Sequence, residues 1–196
     1  MKKSYIIIGV IALLAIIVYS SIKGTYNNMV KMDEDVTGKW AQVENVYQRR
    51  ADLIPNLVNT VKGYADFEQE TLTKVIEARS QATSTNISVD DLSPANIAKF
   101  QKAQAGLSSA LSRLLVTVER YPELKANEGF LKLQTQLEGT ENRISVERMN
   151  FNNSVKEYNS YIRKFPKNLY ASMFDFEKKG YFEADAGAET VPEVQF

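Results

Sequence analysis

Apolar residues fall along this chain in two regimes. From Tyr5 to Ile22 (YIIIGVIALLAIIVYSSI) they form a run that no charge interrupts. From Tyr26 onward they recur at alternating steps of three and four almost to Phe165. As a helix the first run is about 27 Å long, close to the hydrocarbon thickness of a bilayer. Lys2 and Lys3 precede it, Lys23 follows it, and Tyr5 and Tyr19 lie near its ends, where aromatic rings favour the membrane interface. A cleaved signal peptide is the competing reading. The run is long for one, and no A-x-A-like site follows it. Residues 1–23 are therefore expected to be an uncleaved signal anchor, crossing the membrane once. The lysines before the span favour an inside N-terminus and a domain on the outer side, a bias that Lys23 and Lys31 erode.

The second regime predicts helices. Tyr26, Met29, Asp33, Val36, Trp40, Val43, Tyr47 and Arg50 keep a strict 3-4 spacing, the mark of a buried seam, and the anchor runs straight into it. Pro55 is expected to break this helix, because proline suits a first turn and not an interior, with Asp52 as a nearby cap. A second helix would then turn Leu57, Val61, Tyr64, Leu72, Val75 and Ile76 inward. Residues 80–93 (SQATSTNISVDDLS) read as a loop, and Ser93-Pro94 as a helix start. Ile97, Phe100, Gln104, Leu107, Leu111, Leu114, Val118 and Tyr121 give the third helix, ended by Pro122. Phe130, Leu133, Leu137, Ile144, Phe151, Val155, Tyr158 and Ile162 give the fourth, stopped at Phe165-Pro166. The first three have similar expected lengths and the fourth is longer. The fold class is all-α: an antiparallel up-down four-helix bundle over residues 24–182, behind an N-terminal transmembrane helix. Residues 183–196 are small and acidic and are expected to be a disordered tail.

Composition narrows the chemistry. The chain of 196 residues has no cysteine and no histidine. Disulfides, thiolate metal sites, lipoprotein acylation, the Ser-His-Asp triad and di-iron Glu-x-x-His sites are all out of reach. Lys plus Arg equals Asp plus Glu, 24 each, so the long-range field of a nucleic-acid binder is missing.

Several ungapped stretches resemble one family. They are Arg49-Arg50-Ala51-Asp52-Leu53-Ile54-Pro55-Asn56-Leu57-Val58 with Val61-Lys62-Gly63-Tyr64-Ala65, then Ala78-Arg79, then Tyr121-Pro122-Glu123-Leu124-Lys125-Ala126-Asn127. Glu138-Gly139-Thr140-Glu141-Asn142-Arg143-Ile144, and Tyr26-Asn27 and Tyr158-Asn159 followed by Phe165-Pro166, complete the set. In this order they resemble the LemA family from the anchor to about residue 182. The aspartate-bearing loop at 86–92 departs from the pattern. The resemblance implies a bacterial-type membrane protein with an antiparallel helical bundle. It implies no catalytic residues and no cofactor, since the family has no settled activity.

Candidate sites compete with plain structural readings. Asp33, Arg50, Glu68, Arg79, Gln104, Arg143, Glu147 and Arg148 lie at or beside seam positions, where ion pairs that fix helix register are expected ahead of a ligand pocket. Helix-rise counting from Pro55 and from Lys125 brings Glu77 level with Arg148 and predicts that they pair. Arg49 and Arg50, at the expected corner near Asn56, are either dipole-complementing charges or an anion site. Phe165, Tyr170, Phe174, Phe176, Tyr181 and Phe182 are expected to fold over the open end of the bundle or to form an interfacial belt. Val194 and Phe196 end the chain with an apolar side chain and a free carboxylate, which suits a PDZ-type groove. Two sequons, at Asn86 and Asn152, read as chance.

The function expected is a membrane-anchored scaffold or adaptor without catalysis. Its partners would be the bilayer and a membrane or envelope protein, with no nucleic acid. The alternative is a ligand-sensing bundle that signals through a membrane partner. An enzyme using carboxylates alone ranks last.

Overall fold

The computed structural model describes residues 2–64 and 67–184, with side chains from residue 5 onward except Asp90. Six helices follow in order: α1 Lys2–Lys62, α2 Gln69–Ser84, α3 Pro94–Val118, α4 Pro122–Lys125, α5 Glu128–Ile162 and α6 Lys167–Met173. A 3-10 turn, Val89–Asp91, lies between α2 and α3. The described residues contain no strand.

Helix α1 is one uninterrupted helix of 61 residues, with Pro55 inside it. The expected break at Pro55 does not occur. The chain turns between Lys62 and Gln69, and the second helix starts fourteen residues later than Pro55. The 3-4 rhythm explains this. It passes through the proline unbroken, and Met29, Val36, Trp40, Val43, Tyr47, Arg50, Ile54, Leu57 and Val61 are all buried. Burying Ile54, Leu57 and Val61 is worth about 1.5–3 kcal/mol per side chain, which together outweighs the roughly 3 kcal/mol of an interior proline.

The proline's cost is also reduced locally. Pro55 cannot donate to the carbonyl of Ala51, four residues back, and Ala51 is buried. Arg79 on α2 donates its Nε to that carbonyl at 2.8 Å. The donor missing from the backbone of α1 is thus replaced by a side chain from its neighbour.

Contacts give the helix directions. Arg79 meets Ala51, and Ala82 on α2 accepts from Gln104 on α3 at 3.2 Å. Arg120 at the end of α3 pairs with Glu68 before α2 at 2.8 Å. On the other side Asp35 accepts from Ser154 at 2.7 Å, while Arg50 reaches Glu141. Each of these adjacent pairs runs antiparallel. Asn127 caps α5 by accepting from the Phe130 amide at 2.9 Å.

Helix α5 has 35 residues against 25 in α3, so the last long helix exceeds the one before it as expected, but α2, with 16, falls short of the near-equality expected of the first three. The end of α2 is polar and β-branched, and the hydroxyls of Thr83, Ser84 and Thr85 fold back onto carbonyls of Arg79, Ser80 and Gln81, competing with further helix. Beyond it the loop supplies the missing apolar cover through Ile87 and Leu92, both buried. Ile76, expected inward, is exposed, because the buried seam of α2 runs through Leu72, Val75 and Ala82 and leaves it on the flank.

The exchange between Pro55 and Arg79 is testable by urea unfolding in detergent. Arg79→Ala should cost about 1–3 kcal/mol, the cost of a buried unsatisfied carbonyl. In a Pro55→Ala background the same change should cost far less, since residue 55 then supplies the donor. Equal costs in both backgrounds would reject the account.

Candidate functional site

Two apolar clusters make up the interior, one around Trp40 and Phe151 and one around Leu57 and Leu107. Between them lies a polar layer centred on Arg50, which is 1% exposed. Its Nη1 donates to Ser108 Oγ at 2.8 Å and to Glu141 Oε2 at 2.9 Å. Its Nη2 donates to Gln104 Oε1 at 2.8 Å and to the Gln104 carbonyl at 3.3 Å. The guanidinium also lies 5.0 Å from the Tyr47 ring centroid. Gln104 passes the network on by donating to Ala82 on α2, so one layer ties α1, α2, α3 and α5 together.

The anion corner expected at Arg49 and Arg50 is not formed. The chain does not turn there, Arg49 is exposed, and Arg50 is turned inward onto a carboxylate and neutral acceptors. Glu77 and Arg148 are not brought together either. Glu77 is exposed and lines a groove with Lys74 and Arg113 between α2 and α3. Arg148 donates to the Glu183 carbonyl at 2.8 Å and lies 5.0 Å from the Phe182 ring. The rise count started from Pro55, so it misplaced α2 along the axis. Among the other seam charges, Asp33 lies 3.0 Å from Lys179 and Glu68 pairs with Arg120. Val194 and Phe196 lie outside the described residues.

Below the arginine layer the chain's own C-terminal segment forms a strap. It runs extended from Glu177 to Glu183 between α3 and α5, with its backbone gripped by side-chain amides. Asn159 Nδ2 donates to the Lys179 carbonyl at 2.9 Å while its Oδ1 accepts the Lys179 amide at 3.0 Å. Asn152 holds Phe182 in the same two-way manner, at 2.8 and 2.9 Å. Gln101 holds Glu183 from α3, at 2.9 and 3.1 Å. A carboxamide has one donor side and one acceptor side, so it can stand in for a neighbouring strand. The Tyr158 hydroxyl adds a bond to the Glu177 carbonyl at 2.9 Å. Burial, then the negative charges of Asp33 and Glu177, push the Tyr158 phenol well above the ordinary tyrosine value, so it remains a protonated donor.

One strap side chain enters the core. Phe182 is buried, stacked on Trp40 with centroids 6.1 Å apart and set edge-on to Phe151 at 5.6 Å and Phe100 at 6.3 Å. Gly180 allows the close approach. A Cβ there would sit 2.7 Å from the Pro94 Cα, and its amide donates to the Leu92 carbonyl at 2.8 Å. The expected tail boundary at residue 183 therefore falls inside a bonded strap. The aromatic set divides: Phe182 is core, Phe176 and Tyr170 are half-buried, and Phe165, Phe174 and Tyr181 are exposed.

The strap's grips were missed at the level of sequence. Asn152 and Asn159 are seven residues apart, hence on one face of α5, and a pair of amides at that spacing is the signal that could have found them. Beside the strap an open groove of about 690 Å³ is bordered by Pro94, Ala98, Lys102, Arg163 and Tyr181. A smaller cavity of about 250 Å³ adjoins Tyr47, Arg50, Gln101, Ser108 and Arg148.

Two outcomes are expected. Arg50→Ala should lower stability by about 3 kcal/mol, as for loss of one member of a buried charged network, measured by urea unfolding in detergent; a change near zero would deny the layer its structural role. Replacing Asn152 and Asn159 together by Leu should strip hydrogen-exchange protection from residues 177–183 while leaving that of α3 in place. Unchanged protection would show that the amides do not hold the strap.

Comparison with known proteins places this architecture. The LemA family profile matches residues 39–196. The chain is 28% identical over 161 residues to Protein LemA of Metamycoplasma hominis, an alignment covering 82% of this chain and 70% of that one. It is 26% identical over 199 residues to Magnetosome protein MamQ 2 of Paramagnetospirillum magneticum, covering 92% and 73%. It is 28% identical over 200 residues to Magnetosome protein MamQ of Magnetospirillum gryphiswaldense, covering 93% and 73%. The matched span takes in the polar layer, the amides of α5 and the strap, and on it the chain belongs to the LemA family.

Proposed function

We propose that this LemA-family chain is a membrane-anchored scaffold or adaptor with no catalysis of its own, an antiparallel up-down four-helix bundle standing on the outer face of a bacterial membrane. The observation that carries the reading is the division of α1. Residues 5–21 are exposed all round and apolar, and the same helix continues into wholly buried positions from Met29 to Val61. A helix that is apolar on every face and covered by nothing in its own chain suits a bilayer. Its rigid continuation suits holding a body at a fixed height. The alternation of helix directions supports the bundle topology. The lack of histidine and cysteine in the sequence supports a role in holding partners over one in turning over substrate.

A ligand-sensing bundle that signals through a membrane partner is the second reading. What favours it is the cavity beside Arg50, where guanidinium, carboxamide and hydroxyl groups face a space of about 250 Å³. What favours the scaffold is that the two apolar clusters on either side are filled by side chains.

The full chain should stay in the membrane pellet through an alkaline carbonate wash, and a variant carrying Leu13→Glu, Ile16→Glu and Ile17→Glu should leave it. Release of the unaltered chain would overturn the anchor. Because the chain has no cysteine, Ser80→Cys, on the exposed face of α2, gives a single reporter of sidedness. Reaction with an impermeant maleimide in intact cells is expected; reaction only after lysis would reverse the orientation and leave the anchor standing.

A further inference from the structure

We infer that α6 and the turn before it form a second membrane contact, seated in the interfacial layer of the bilayer beside the anchor. This rests on the reading of residues 5–22 as a membrane span.

The placement follows from where the helical body meets α1. Residues 5–21 are uncovered, and cover begins at Ile22, which is partly buried. The body therefore reaches down to the last apolar residue of the span. Tyr26 lies four residues further on, about 6 Å along the axis. The rings of Phe174 and Phe176 pack on it, with centroids at 4.9 and 5.7 Å. Ala171 is buried in the cluster that holds Met29 and Ile162. Helix α6 is thus at the end of the body facing the bilayer, within about one helical turn of its surface.

That end is apolar where a water-facing surface would be polar. Phe165 is 81% exposed, Leu169 56%, Met173 65% and Phe174 38%. Leu169 and Met173 are four residues apart, so they share one face of α6, while Tyr170 and Ala171 turn toward the body. Exposed apolar side chains gathered on one surface mark an interaction site. Cations border them: Lys23, Arg163 and Lys164 are exposed, and Lys167 is held 3.6 Å above the Tyr161 ring. Asp175 and Glu177 are the nearby acids. An apolar face rimmed by lysine and arginine is the chemistry that lies flat at a lipid surface containing anionic headgroups. Continuity with the span selects the bilayer over a protein partner as the occupant.

The test uses the full chain in vesicles of phosphatidylcholine with phosphatidylglycerol, carrying one spin label at a time. The cysteine-free sequence makes Leu14→Cys, Leu169→Cys, Met173→Cys and Ser80→Cys clean single sites. Collision rates with oxygen, which concentrates in lipid, are compared with those of a water-soluble nickel chelate. The oxygen-to-nickel ratio at residues 169 and 173 should exceed that at residue 80 several-fold and stay below that at residue 14. It should fall when phosphatidylglycerol is left out. A water-like ratio at 169 and 173 with a lipid-like ratio at 14 would overturn the α6 contact and leave the anchor intact. A water-like ratio at 14 would remove the anchor and this contact with it. Poor access for both reagents at 169 and 173 would mean that protein, such as a second copy of the chain, covers the face, and would also overturn the proposal.

Discussion

Arg50 holds its guanidinium away from water between two apolar clusters, and that placement obliges the surrounding helices to present acceptors at one height. Glu141 must come from α5, Gln104 and Ser108 from α3, and Gln104 must in turn reach the end of α2. Apolar seams tolerate sliding by a heptad, because leucine meets leucine again. A charged group buried in the seam does not, because displacement leaves it without partners at a cost of several kcal/mol. The layer is thus the register mark of the helical body, with the regions above and below it aligned by packing and by single polar contacts such as Ser154 to Asp35 and Arg79 to Ala51. Glu141 is half-exposed, so the charge of Arg50 is balanced at the surface while its geometry is fixed inside.

The same logic of supplied partners recurs twice more. Pro55 removes a donor from α1, and Arg79 restores one from α2. The strap has an extended backbone with no neighbouring strand, and Asn152, Asn159 and Gln101 act as its substitute. In each case a backbone group that cannot be satisfied by regular structure is met by a side chain held rigid on a helix. This is how a chain with few glycines and a proline in mid-helix keeps these backbone groups paired.

Much of this was legible in the sequence, and the failures have physical causes. The apolar N-terminal helix, the seams of α1, α3 and α5, and the start of α3 at Pro94 follow directly from periodicity and caps. The second helix was misplaced because a local rule about proline was given precedence over a rhythm that continues unbroken through Ile54, Leu57 and Val61. Summed burial over several turns exceeds one missing hydrogen bond, and the periodicity was the stronger signal. The pairing of Glu77 with Arg148 failed with it, since helix-rise counting inherits any error in the starting residue. Arg50 and Gln104 both stand out as polar residues in their seams, but their meeting does not. Glu141 is an ordinary helix residue, and only the packing of three helices brings the three to one point. The strap was illegible for a similar reason. Its residues carry no periodic pattern, and its grips are single amides on distant helices.

The unbroken course of α1 has a mechanical consequence. On the proposed reading of residues 5–22 as a span, the same helix would carry its course from Lys23 to Lys62 about 60 Å beyond the hydrocarbon. Spans tilt to match the thickness of the bilayer around them. A reorientation of about 20°, within the range such helices adopt, would sweep the far end sideways by roughly 20 Å. On that proposal such a lever would convert changes in lipid thickness into displacement far from the surface, at the turn after Lys62.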